Sequence, residues 1–200
     1  MFMASGAAKA EEYTAGKDYQ LITPAQPGGS GGKVEVVEMF WYGCPHCYQA
    51  EPVIEAWLEE KPAHIEFIRI PAIFNQARWA LHARAFYTAE LLEIMEAFHK
   101  PFFNAIHQSG RRMGDEASIR AFFVELGVDG KRFDETFDSF AVQSKVRRAA
   151  DLTRKYGLTG VPAIVVNGKY RTGGSDAGTY ERMMAIAEAL ASKEAKVAGR

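Results

Sequence analysis

The sequence predicts an α/β fold: a central mixed β-sheet flanked by helices, with an all-helical subdomain inserted into it. Three observations carry this. Two runs rich in β-branched and aromatic residues, 33–42 and 64–74, bracket a helical segment and form a β-α-β unit. The chain from Gln76 to about Tyr156 is helical in character throughout, far too long a span for a loop. A third β-rich run, 161–173, turns at Asn167-Gly168 and leads into an amphipathic helix, returning the chain to the sheet.

Composition permits such a fold without crosslinks. The chain has 200 residues, 48% hydrophobic and 24% charged, an ordinary globular balance able to bury a core. Lys and Arg number 24 against 25 Asp and Glu, and no basic stripe stands out, so no nucleic-acid partner is expected. The basic pairs Arg111-Arg112 and Arg147-Arg148 read as solvated helix faces. No apolar run approaches the ~18 residues a membrane span needs, and a soluble monomer is expected.

The elements follow in order. The N-terminus lacks the charged and apolar regions of a signal peptide. Ala8-Lys9-Ala10 is either the stub of a cleavage site or part of an expression remnant, and residues 1–12 are expected to be disordered or of that origin. "YQLI" (19–22) suits a short edge strand, and "TPAQPGGSGGK" (23–33) a loop. "KVEVVEMFWY" (33–42) is a buried strand. The next helix carries Val53, Ile54, Trp57 and Leu58 at helical spacing, and the strand within 64–74 ends near Pro71. Five helices are expected over 77–92, 94–108, 115–127, 130–140 and 141–157, the third capped by Asp115; one last helix covers 175–193. The sheet domain thus spans 17–75 and 145–192, and the inserted helices span 76–144.

The only two cysteines stand three apart, in Cys44-Pro45-His46-Cys47, between a strand and a helix. As a staple they would close a very short loop and stabilise little. A structural zinc site needs about four ligands, and the other histidines (His64, His82, His99, His107) lack paired spacing to the cysteines, so no metal is expected. Redox exchange remains, set against two inert buried thiols. Cys44 falls at the helix N-cap and Pro45 in the first turn, where no amide donor is required. Free N–H groups and the positive end of the helix dipole favour a thiolate at Cys44, and a protonated His46 adds to this. Cys47, one turn further in, would resolve a mixed disulfide.

"WYGCPHCYQAEP" resembles the active-site segment of the thioredoxin superfamily, and Cys-Pro-His-Cys resembles in particular the DsbA family of thiol:disulfide interchange proteins. "TGVPAIVVNGKY" (159–170) resembles that family's cis-proline loop, with Val161 before Pro162. Pro52 resembles the proline that kinks the thioredoxin helix. The resemblance covers nearly the whole chain from about Lys17 and implies a thioredoxin fold. It implies an oxidase that donates the Cys44-Cys47 disulfide to unfolded or reduced exported proteins in the periplasm. No dissociable cofactor is implied. A DsbB-like membrane oxidase would recharge the dithiol, and an apolar groove beside the site would receive both. Backbone atoms at Val161 and cis Pro162 would pair with an extended substrate. Glu38 matches an acid used in proton handling, while Arg69 stands where the family often has Lys; Arg can pair with Glu38 but does not shuttle a proton.

Two rival readings share the scaffold: a reductant or isomerase, and a peptide-binding chaperone-like module. Phe40, Trp41 and Tyr42 read as core, and Trp79, Phe86 and Tyr87 as packing of the helical block.

Overall fold

Strand β2 (Val34–Phe40) is buried along almost its whole length, because as an inner strand it packs Val34 and Val36 on one face and Val37 and Met39 on the other. The computed structural model describes residues 12–29, 32–74, 77–197 and 199; the segment 1–11 lies outside them. Five strands form one mixed sheet in the order β1-β5-β4-β2-β3. β3 (Ile65–Pro71) runs parallel to β2, joined by α1 (Pro45–Glu60), while β4 (Ala163–Val166) and β5 (Tyr170–Gly173) are antiparallel additions. The short β1 (Gln20–Leu21) pairs with β5 at the edge. The β4–β5 turn is built by Asn167 (φ 49°) and Gly168 (φ 65°), both left-handed as this tight hairpin demands.

Between β3 and β4 lie α2 (Ala77–Leu91), α3 (Met95–His107), α4 (Glu116–Glu125), α5 (Gly130–Phe137) and α6 (Phe140–Lys155). Asp115 caps α4 in a reciprocal pair with Ser118. The end of the chain departs from the single helix expected over 175–193. Gly178, at φ 83°, ends the short α7 (Gly174–Ala177), and α8 (Tyr180–Val197) starts afresh.

The core has three parts. One sheet face packs Val34, Val36 and Ile164 against α1 and α8; the other packs Val37, Met39 and Val165 against Tyr156 and Leu158. The third part is the phenylalanine-rich interior of the inserted helices, and it takes in Phe40, Tyr42, Cys44 and Cys47. The cysteine motif therefore rests on the insertion as well as on the sheet.

Candidate active site

The β2 strand ends at Phe40, and the chain turns through Gly43 into α1. A Cβ at Gly43 would enter the Trp41 ring, so the turn depends on having none. Cys44 is the N-cap of α1 and Pro45 its first residue. Both thiols are free. Cys44 is 9% exposed and Cys47 fully buried, so one sulfur is reachable and the other shielded. Pro52 lies inside the helix.

This burial separates the two thiols chemically. The Cys44 pKa falls from 9.0 to about 6. The Cys47 thiol is the largest cause; partial burial opposes it, and the backbone N–H groups of Cys47 and His46 and the His46 charge add to it. Cys47 moves well above its ordinary range, first through burial and then through its bond to Cys44. Cys44 is thus held as a thiolate at neutral pH, and Cys47 as a thiol.

The loop before β4 faces this pair. The Val161–Pro162 bond is cis, and the Cys44 Sγ lies 3.5 Å from the Val161 carbonyl oxygen. A cleft of about 640 Å³ opens beside them, lined by His46, Val161, Pro162, Arg171, Asp176 and Tyr180 among others. Its lining joins the apolar Leu158, Val161, Pro162 and Ala163 to Thr, Ser and charged side chains from the β5–α8 connection. His46 is exposed, its Nδ1 3.4 Å from the Tyr180 hydroxyl. Aromatic surface lies instead at Trp41, which is only half-buried and stacks on Trp79 with centroids 4.2 Å apart. That corrects the core placement expected for Trp41; Phe40 and Tyr42 are fully buried.

Comparison with known proteins agrees. Residues 64–185 match the family model of the DSBA-like thioredoxin domain. The DsbA proteins of Pseudomonas syringae pv. tomato and Pseudomonas aeruginosa are 42% and 41% identical to this chain. The alignments cover 92% and 94% of it, and 86% and 89% of theirs. The chain belongs to the DsbA family. Crystal structures of DsbA from P. aeruginosa (TM-score 0.87, 40% identity, 94% of this chain and 97% of that one) and Xylella fastidiosa (0.83, 32%, 91% and 97%) share its fold. The thioredoxin fold expected from the motif is borne out, and the protein is a thiol:disulfide oxidoreductase.

Beneath this DsbA site lies a polar cluster. Glu38 is fully buried, in register with Arg69 on β3, and accepts from Arg69 Nε at 3.0 Å. Burial first, then the Glu51 charge, raises the Glu38 pKa from 4.5 to about 8 despite Arg69. Glu51 and Glu55 of α1 also meet Arg69. Sequence reading singled out Glu38 and Arg69 but missed Glu51. A signal existed: Glu51 stands four residues after Cys47 and three before the buried Ile54, on the inward stripe of α1.

Proposed function

We propose that this DsbA family member is a dithiol oxidase that donates a Cys44–Cys47 disulfide to reduced proteins during their folding outside the cytoplasm. The observation that carries it is the opposed behaviour of the two thiols. A thiolate at Cys44 stabilises the dithiol form, so the disulfide is a stronger oxidant, a relation for which DsbA proteins are the standard example. A substrate thiolate attacks Cys44 Sγ, the S–S bond breaks, and Cys47 leaves. A second substrate thiolate then displaces Cys44, leaving a substrate disulfide and a reduced enzyme. Pro45 and His46 tune the helix terminus around Cys44. Glu38 supplies the proton that the buried Cys47 needs. The backbone at Val161 and cis Pro162 holds the substrate in extended form.

The family suggests periplasmic residence and recharging by a DsbB-like membrane oxidase; among the described residues no helix is long and apolar enough to cross a membrane. Residues 17–75 and 145–192 form the thioredoxin-like unit on this reading, and 76–144 the insertion.

The test is the reduction potential of the cysteine pair against a glutathione buffer, with oxidative refolding of a reduced substrate. A potential well above thioredoxin's roughly −270 mV, with refolding that requires Cys44, supports the oxidase. A value near thioredoxin's assigns the protein to reductants. A refolding effect that survives Cys44→Ser assigns it to binding modules. Cys47→Ser should accumulate mixed disulfides through Cys44; their absence would overturn the assignment of the nucleophile.

A further inference from the structure

The inserted helices reach into the charge cluster below the cysteines through one residue. His99 on α3 is buried. Its Nδ1 lies 2.7 Å from the Tyr42 hydroxyl, and its Nε2 lies 3.3 Å from Glu51 Oε1. The other Glu51 oxygen lies 3.3 Å from Arg69 Nη2, and Arg69 in turn holds Glu38. Tyr42, His99, Glu51, Arg69 and Glu38 form a single file. Its far end, Glu38, acts electrostatically on Cys47.

The partners determine the tautomer of His99. Burial raises the Tyr42 phenol well above its ordinary range, so it keeps its proton and donates it to Nδ1. Nε2 then carries the ring proton and lies 3.3 Å from Glu51 Oε1, close to the carboxylate without the alignment of a hydrogen bond. Burial also lowers the His99 pKa, so the ring acts as a neutral donor.

Three carboxylates face one guanidinium here. Glu38 comes from β2, Glu51 and Glu55 from α1, and Arg69 from β3; Lys100 on α3 is a further charge acting on Glu51. One cation, shared with the exposed Glu55, does not compensate the two buried carboxylates Glu38 and Glu51, so the cluster retains a proton. A second polar neighbour decides which carboxylate stays ionised. Glu51 has His99 Nε2 3.3 Å from its second oxygen, within ion-pair distance though not aligned as a hydrogen bond. Glu38 has only Arg69 as an ion-pair partner among the described residues, and its Oε1 is buried without a hydrogen-bond partner. Burial alone would raise the Glu51 pKa, yet the His99 contact and the Arg69 charge bring it below the ordinary value.

We propose that His99 is a positioning residue for the proton that serves Cys47: by keeping Glu51 ionised against Arg69, it leaves the cluster's proton on Glu38. This rests on the disulfide-exchange reading above. When a substrate thiolate breaks the disulfide at Cys44, Cys47 departs as a thiolate. The Glu38 carboxyl gives its proton to that sulfur, becomes a carboxylate, and is reprotonated from solvent. In reoxidation Glu38 first releases its proton to solvent, and the resulting carboxylate takes the proton from Cys47.

The experiment is a carboxyl 13C NMR titration of glutamate-labelled reduced protein, comparing wild type, His99→Leu and His99→Gln. The pH profile of disulfide closure by oxidised glutathione is measured alongside. Leu removes the donor to Glu51, whereas Gln can both accept from Tyr42 and donate to Glu51. In His99→Leu the Glu51 midpoint should rise and the Glu38 midpoint fall, by about one pH unit, roughly a tenfold change in the protonation ratio. His99→Gln should restore both midpoints, and the closure profile should follow Glu38. If His99→Leu does not fold, Tyr42→Phe should give a smaller shift of the same sign. Unmoved midpoints in the folded variant overturn the proposal, as does a moved Glu38 midpoint with an unmoved closure profile. A wild type that fails to oxidise reduced peptides would sink the oxidase reading instead, and the carboxyl titration would still decide the role of His99.

Discussion

Converting the disulfide to the dithiol should make the stability of this protein depend on pH in a way the oxidised form does not share. The oxidised chain has no Cys44 thiol to titrate, so comparing the two oxidation states isolates that group. The Cys44 pKa is about 6 in the fold against 9.0 for a free thiol. A depressed folded pKa contributes stability that is complete above the unfolded value and lost as pH falls through the folded one. Between pH 5 and pH 8 the full shift would add about 2.6 kcal/mol to the reduced form. Solvent reaches part of this sulfur, and screening halves the figure to about 1.3 kcal/mol. Cys47 adds almost nothing in this window, since its thiol is protonated in both states. Urea unfolding of both forms at pH 5 and pH 8 measures the gap between them; in thermal melts it should widen by about 3–5 °C. A gap that is the same at both pH values would refute the stabilised thiolate, and with it the argument for an oxidising couple. Absorbance of the thiolate near 240 nm, titrated on the reduced protein, gives the Cys44 midpoint directly.

The acid below the cysteines should show the opposite dependence. Glu38 is held protonated up to about pH 8 against 4.5 when exposed, so its folded pKa is raised and stability falls as pH climbs between these values. Glu38→Gln should change stability little at pH 4 and gain on the order of 1–3 kcal/mol at pH 8 by urea unfolding; an equal gain at both would contradict the burial argument. Gly43→Ala should displace Trp41 from Trp79, because the new methyl occupies the position of the Trp41 ring. Tryptophan fluorescence would report the loss of stacking, and an unchanged spectrum would mean that the turn gives way instead.

Much of this could be read from local pattern. Cys44-Pro45-His46-Cys47 between a strand and a helix specifies its own geometry, since N-cap, first turn and i+3 spacing are properties of a few consecutive residues. The Asn167-Gly168 hairpin and the Asp115 cap were legible for the same reason. The break at Gly178 was not, because "SDAGTYERMM" keeps an amphipathic period across a glycine, and only the path of the chain past the cleft shows that the helix restarts. Strand alternation put Glu38 on a face with Val34 and Val36, but burial of that face depends on α1 and α8 closing over it. Trp41 was misplaced because alternation says which way a side chain points and not whether anything covers it; beside the cysteines its neighbour is another half-exposed ring, Trp79. The sequence by itself determined the chemistry of this protein: two thiols at a helix start, made unequal by backbone dipoles that any helix supplies. Only the tertiary structure decided how far they differ and where the proton goes. Glu38, Glu51, Arg69 and His99 come from four separate elements, and their charges act on one another only because folding removes the water between them.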